Sequence, residues 1–165
     1  DLFAIYHQRV PFVKTLMKSV SNRAQQRGQI RTLLGRLCRF HLWEPNRFGI
    51  NKALPFEQAV QEHGQGNIRR AYTYKALNKL IQGSAADMTK QAMLDLWKEG
   101  IVPHIQVHDE LDISVKNKEE SRKIVEIMET CVDLNVPSKV DAEIGDTWGT
   151  AMVDHNKYWS NECKE

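Results

Sequence analysis

Apolar residues at mostly three- and four-residue steps mark the start of the chain: Phe3, Ile5, Tyr6, Val10, Val13, Leu16, Met17 and Val20. This is the period of a helix over 2–27 with one apolar face. Pro11 lacks an amide donor, so that helix is expected to kink or break there, and Gly28 is placed to cap it. Short strands over 29–34 and 37–43 are predicted to pair around Gly35-Arg36. Residues 44–55 hold Pro45, Asn46, Gly49, Asn51 and Pro55 and read as an irregular loop, followed by a short helix over 56–63 that Gly64 and Gly66 end. The longest helical pattern covers 68–98, with Leu77, Ile81, Ala85, Met88, Ala92 and Leu96 as its apolar stripe and Gly100 as its stop. The period then changes. Residues 102–107 and 110–115 alternate apolar with polar, as half-buried strands do, and His108-Asp109 lies between them. A helix over 117–134 opens at Asn117, with Glu119 and Glu120 favourably placed in its first turn. A last strand is predicted over 138–144, and the tail from Gly145 is polar with scattered aromatics. The pattern predicts an α+β fold in which an antiparallel sheet and its hairpin pack against long helices.

Composition narrows the class. A chain of 165 residues, 41% hydrophobic and 27% charged, can bury a core and reads as soluble. No apolar run approaches the roughly eighteen residues a membrane-spanning helix needs. Cys38, Cys131 and Cys163 are widely spaced and odd in number, which argues against a disulfide framework or a structural zinc site and fits a reducing cytoplasm. The first residue is Asp1 rather than Met, and the chain is expected to be a fragment, a processed product or a trimmed piece. The net charge of +2 conceals a segregation. Residues 1–90 carry 15 Lys or Arg against 5 acids, a net of +10; residues 91–165 carry 8 against 16, a net of −8. The first half is suited to face a polyanion and the second to be an acidic body that can take a metal.

Three groups of residues carry chemistry. His108-Asp109-Glu110 sits where a hairpin turns, and a carboxylate fixed there suits a metal ligand in a site that handles phosphates. Acids also favour turns for purely local reasons, and neighbouring strand side chains point to opposite faces, so this hairpin reads as half of a site. Arg70, Tyr74, Asn78 and Gln82 follow one another at four-residue steps and would share one helical face. All can donate hydrogen bonds, and such a stripe suits the acceptors that every base pair offers in the minor groove; an ordinary solvated face explains it as well. Gly83-Ser84-Ala85-Ala86 is small throughout, although glycine within a helix costs about 1 kcal/mol against alanine. Close packing of a sheet on the helix, or approach to nucleic acid, would account for it.

Together these segments resemble the C-terminal part of a family A DNA polymerase, the group of bacterial DNA polymerase I and related phage replicative enzymes. Gly28-Gln29-Ile30-Arg31-Thr32-Leu33-Leu34-Gly35-Arg36 resembles the segment leading from the fingers to the palm. Ala76 to Asp87 resembles the palm helix that carries an Asn and a Gln. Gln106-Val107-His108-Asp109-Glu110-Leu111 resembles the last catalytic motif. Val136-Pro137 with Gly145-Asp146-Thr147-Trp148 resembles the closing strand and C-terminal signature. The likeness covers roughly residues 2–150, and the combination is far more specific than any one motif.

The resemblance implies a palm-type sheet with a catalytic hairpin. It divides the chain into 1–68, the end of the fingers and the connection to the palm; 69–150, the palm; and 151–165, a tail. It implies that Asp109 ligates catalytic Mg²⁺, two ions in the complete enzyme, with Glu110 in a supporting role beside it. Gln106 and His108 would lie near the primer end. Asn78 and Gln82 would contact the duplex minor groove, with Arg70 joining them if the helix begins early enough. Primer–template DNA and deoxynucleoside triphosphates would be the partners, without a membrane. The family's arginine two turns before the Gln is replaced by Tyr74, the segment 40–69 is longer than in compact bacterial members, and the tail runs further. The family's other catalytic aspartate and its nucleotide-binding fingers helix lie in an upstream segment that these 165 residues do not include. The expected function is therefore a partial polymerase, inactive alone and completed by an upstream segment of the same polypeptide or by the other subunit of a split enzyme. A non-catalytic duplex-binding module and a metal-dependent nuclease are the rivals, and no second acidic cluster supports the nuclease.

Overall fold

Pro11 breaks the first helix in two. Helix α1 spans Leu2–Arg9 and α2 spans Pro11–Arg27. Val10 between them is non-helical, at φ −130° and ψ 63°, because a following proline disfavours the helical region. The computed structural model describes residues 2–47, 49 and 51–160, and the chain divides after Ser84 into two compact units.

In the first unit, Gly28 caps α2 in the left-handed conformation, with its amide 2.9 Å from the Ala24 carbonyl. Strands β1 (Gln29–Arg31) and β2 (Leu37–Arg39) form the predicted hairpin, shorter than the pattern suggests, with Ile30 opposite Cys38. Its core is Val20, Ala24, Ile30, Phe40 and Ala76, with Cys38 and Leu80 packed against them. The apolar face of 2–27 is buried at one end only: Val20 and Ala24 are inside, whereas Phe3, Tyr6, Leu16 and Met17 are exposed.

Two expectations fail between residues 43 and 75. Strand β3 (Trp43–Pro45) takes its first residue from the predicted strand over 37–43 and its other two from the segment the sequence pattern assigns to a loop, and β4 (Ile68–Arg70) lies where that pattern places the start of the long helix. The two pair antiparallel, Trp43 opposite Arg70, and Trp43 also bridges Leu54. The chain then passes through Tyr72 at φ 62° and a 3₁₀ turn over Thr73–Lys75, and α4 spans only Ala76–Lys98. Long-range strand pairing and a left-handed residue here override the local period. Arg70 and Tyr74 therefore do not lie on the helix that carries Asn78 and Gln82. Helix α3 (Phe56–His63) ends at Gly64, as expected.

In the second unit, Ala92 and Leu96 bury the later part of α4. Gly100, at φ 76°, ends it: the Gly100 amide bonds the Trp97 carbonyl and the Ile101 amide the Leu96 carbonyl, each at 2.9 Å. Strands β5 (Ile105–Val107) and β6 (Glu110–Asp112) form the expected hairpin. Helix α5 (Lys118–Thr130) starts at Asn117, whose side chain accepts from the Glu120 amide at 2.9 Å, and stops short of 134. The strand expected over 138–144 is paired only at Glu143–Ile144 (β7), against Val153–Asp154 (β8) of the tail. The tail closes with α6 (His155–Trp159), whose buried His155 lies 3.3 Å from the Ser121 hydroxyl of α5.

The fold is α+β, but among the described residues its sheets are four separate antiparallel pairs rather than one sheet. Cys38 and Cys131 are free thiols, and Cys163 lies outside the described residues. Among those residues no helix is long and apolar enough to cross a membrane.

Glu129 ties α5 to the unpaired stretch after it, accepting from the Val140 amide at 3.2 Å and the Lys139 ammonium at 3.3 Å. These bonds, the Val140 amide first, hold its carboxyl below the ordinary glutamate value of 4.5. A depressed carboxylate stabilises the fold above its unfolded pKa, and that contribution is lost as pH falls through the folded one. Hydrogen exchange at 139–142 should accelerate as pH drops below about 4.5, beyond the intrinsic pH trend. Glu129→Gln should show fast exchange with no such dependence; an unchanged profile in the variant would refute the tie.

Candidate functional site

Val107 and Glu110 close the β5–β6 hairpin, leaving His108-Asp109 as a two-residue loop. Such loops need positive φ to match the twist of the strands, and glycine usually supplies it. Here His108 does, at φ 53°, where a side chain costs about 1–2 kcal/mol. The Gln106 side-chain amide donates to the His108 carbonyl and ties the loop to its own strand. At the other end, His104 bonds Ser114 at 3.0 Å and its amide bonds the Asp112 carbonyl at 2.8 Å. Asp109 is thus held at the tip of a braced hairpin. Its carboxylate is exposed and makes no hydrogen bond or ion pair with any described residue.

The hairpin forms one wall of an open cleft of about 940 Å³ within the second unit, with α5 and residues 139–148 opposite. Asp109 and Glu110 both line it, as do Asp112, Asp141, Glu143 and Asp146, and among the described residues the only Lys or Arg on its walls is Lys139. A cleft of one charge sign concentrates ions of the other, here cations. Asp112 is a candidate that the sequence reading passes over. It follows Glu110 by two residues on one strand, so both face the same way, and its Oδ2 is sheltered without a partner. The alternation Glu110-Leu111-Asp112 was the available signal.

No group of three or more His, Cys, Asp or Glu among the described residues comes together as a metal cage. The hairpin offers less than that, a free carboxylate at a rigid tip. This fits Mg²⁺, which takes oxygen ligands and often binds through one or two carboxylates with water and phosphate completing the shell.

In the first unit, Asn78 and Gln82 are exposed one turn apart on α4. The small residues after them have a packing explanation. A Cβ on Gly83 would lie 2.8 Å from the Thr32 methyl, and the Ser84 hydroxyl accepts from the Leu33 amide at 2.9 Å. Arg70 stands elsewhere. Its guanidinium donates to the Phe40 carbonyl at 2.9 Å and the Gln25 carbonyl at 3.2 Å, and lies 4.5 Å from the Trp43 ring centroid. A Cβ on Gly28 would come within 2.6 Å of it, so the glycine makes room for the arginine. The structure thus brings Gln106, His108, Asp109 and Glu110 together on one hairpin and separates Arg70 from the Asn78–Gln82 face.

Comparison with known proteins gives the same direction. The chain is 40% identical over 151 residues to a DNA-directed DNA polymerase of Pseudomonas phage M6, covering 92% of this chain and 19% of that protein. It is 36% identical over 152 residues to DNA polymerase I of Bacillus caldotenax, covering 87% of this chain and 15% of the relative. Among solved structures it resembles the POL domain of Pol1 from M. smegmatis, in complex with DNA primer-template and dNTP. That likeness has a TM-score of 0.56 at 29% identity over 80% of this chain and 22% of the other. The chain therefore spans about a fifth or less of the length of these proteins. The model of DNA polymerase family A matches residues 1–150, and the chain belongs to that family.

Proposed function

We propose that this chain is the C-terminal fingers–palm portion of a template-directed DNA polymerase, with residues 1–68 closing the fingers, 69–150 forming palm and 151–165 a tail. The observation that carries the proposal is Asp109: a carboxylate without a partner among the described residues, fixed at a strained hairpin tip in a cation-attracting cleft, on a chain of this family. Asp109 holds magnesium, Glu110 supports it, and His108 and Gln106 shape the loop beside the primer end. Two bound Mg²⁺ ions would supply activation of the primer 3′-hydroxyl and stabilisation of the leaving pyrophosphate. One carboxylate cannot clamp two ions, so an upstream segment, in the same polypeptide or a separate subunit, must bring the second aspartate. Asn78 and Gln82 face the minor groove of the primer–template duplex. Arg70 takes an internal role instead, because its guanidinium already serves two carbonyls and an aromatic face.

Primer extension tests this. The purified chain should incorporate no nucleotide, and adding the upstream part of the phage relative should give Mg²⁺-dependent incorporation. Incorporation by the chain alone, surviving a contamination control, would overturn the half-site. Failure of the mixture with duplex binding retained would favour the non-catalytic module.

A further inference from the structure

We propose that the β1–β2 turn is a positioning brace for Gln82, setting the height and rotation of the α4 face that reads the duplex. The inference rests on the minor-groove reading of Asn78 and Gln82 and assigns that reading its second set of residues. A side chain that senses acceptors in a groove must be held to a fraction of an ångström, and an exposed helix face with nothing behind it would not hold it so. Directly beside Gln82, α4 is gripped on its backbone rather than only through its side chains.

The grip has four parts. The turn is itself rigid: the Thr32 amide bonds the Arg36 carbonyl and the Gly35 amide bonds the Thr32 carbonyl, both at 2.9 Å, with Gly35 at φ 87°. Its Thr32 side chain is buried and abuts Gly83, where a Cβ would meet the Thr32 Cγ2 at 2.8 Å. That contact fixes how near the helix lies to the hairpin. The Ser84 hydroxyl accepts from the Leu33 amide at 2.9 Å and donates to the Leu80 carbonyl at 2.7 Å, linking the turn to the preceding helical turn. The Arg36 guanidinium donates to the Gly83 carbonyl at 2.8 Å. Gln82 itself is exposed and free of this machinery. The stretch Gly83-Ser84 is thus shaped for the hairpin, and the residue just before it faces out from a fixed point.

The test is the ratio of matched to mismatched primer-end extension rates in the complete polymerase. Gln82→Ala serves as the reference and should change that ratio by about fivefold, the effect of one ordinary hydrogen bond. Gly83→Ala, which forces the helix away from Thr32, should move the ratio in the same direction by about threefold or more. Adding Thr32→Ser, which removes the clashing methyl and keeps the hydroxyl, should restore it. Ser84→Ala removes the hydroxyl's bonds to the Leu33 amide and the Leu80 carbonyl without adding bulk, so it keeps the test alive if Gly83→Ala does not fold. It should shift the ratio, and Ser84→Thr should not. If Gln82→Ala moves the ratio and neither Gly83→Ala nor Ser84→Ala does, the brace is wrong and the minor-groove reading stands. If Gln82→Ala leaves the ratio unchanged, that reading fails and takes the brace with it, whatever the other variants do. Melting temperatures that fall without any change in ratio would mark the turn as structural packing alone.

Discussion

Asp109→Ala, made in the complete polymerase, should lower the single-turnover incorporation rate by about 10³-fold or more, the scale at which removing one preorganised electrostatic partner acts on a transition state. Melting temperature and DNA affinity should remain close to those of the parent. The structure separates these effects. The carboxylate is exposed and bonded to no described residue, so its loss orphans no buried group and opens no cavity. The loop conformation does not depend on it either, since the positive φ belongs to His108 and the tie to the strand comes from Gln106. An interaction that strengthens only as charge develops affects rate rather than ground-state binding. Glu110→Ala should lose less, because its place is in the strand beside the tip. Near-parental turnover in Asp109→Ala, or a loss of activity that tracks unfolding, would remove the hairpin from the catalytic site.

What the sequence shows of this molecule depends on how local each cause is. The break at Pro11, the cap at Gly28, the stop at Gly100 and the N-cap at Asn117 all follow from single residues acting on their own backbone, and all are present. The β5–β6 hairpin is legible because its alternation and its turn lie within a dozen positions. The segment 68–75 is not. Arg70, Tyr74, Asn78 and Gln82 keep a helical spacing, but Ile68–Arg70 is claimed by Trp43–Pro45, some 25 residues away, and a pairing between distant segments leaves no local period to read. Gly83 and Ser84 were visible as an anomaly, though their cause, a turn 50 residues earlier, was not. Six acids among the described residues line the cleft; Asp109, Glu110 and, by strand alternation, Asp112 lie within four positions and carry a local signal, whereas Asp141, Glu143 and Asp146 come from a distant segment that no local pattern ties to the hairpin.

At Arg70 local spacing and tertiary contact diverge most sharply, and its substitution has the second large expected effect. Arg70→Ala should destabilise the first unit by about 3 kcal/mol. Two charge-assisted bonds to partly buried carbonyls contribute roughly 1–1.5 kcal/mol each and the stacking on Trp43 about 0.5 more. For a chain of this size that corresponds to a fall in melting temperature of about 10 °C. Arg70→Lys should recover only a minor part, because an ammonium cannot reach the Gln25 and Phe40 carbonyls together while lying flat on an indole. The opposing idea, that Arg70 contacts DNA, makes a different forecast. Duplex affinity of the basic first unit should fall steeply with salt, since each neutralised phosphate releases counterions, and losing one phosphate contact lowers the slope of log affinity against log salt by about 1. Measured well below the unfolding transition, Arg70→Ala should leave that slope unchanged. A slope reduced by about one unit, with the melting temperature preserved, would return Arg70 to the DNA surface. An arginine committed to its own backbone gives the reverse pair of results, because the same five donors cannot both close the α2–β2 junction and reach outward to a phosphate.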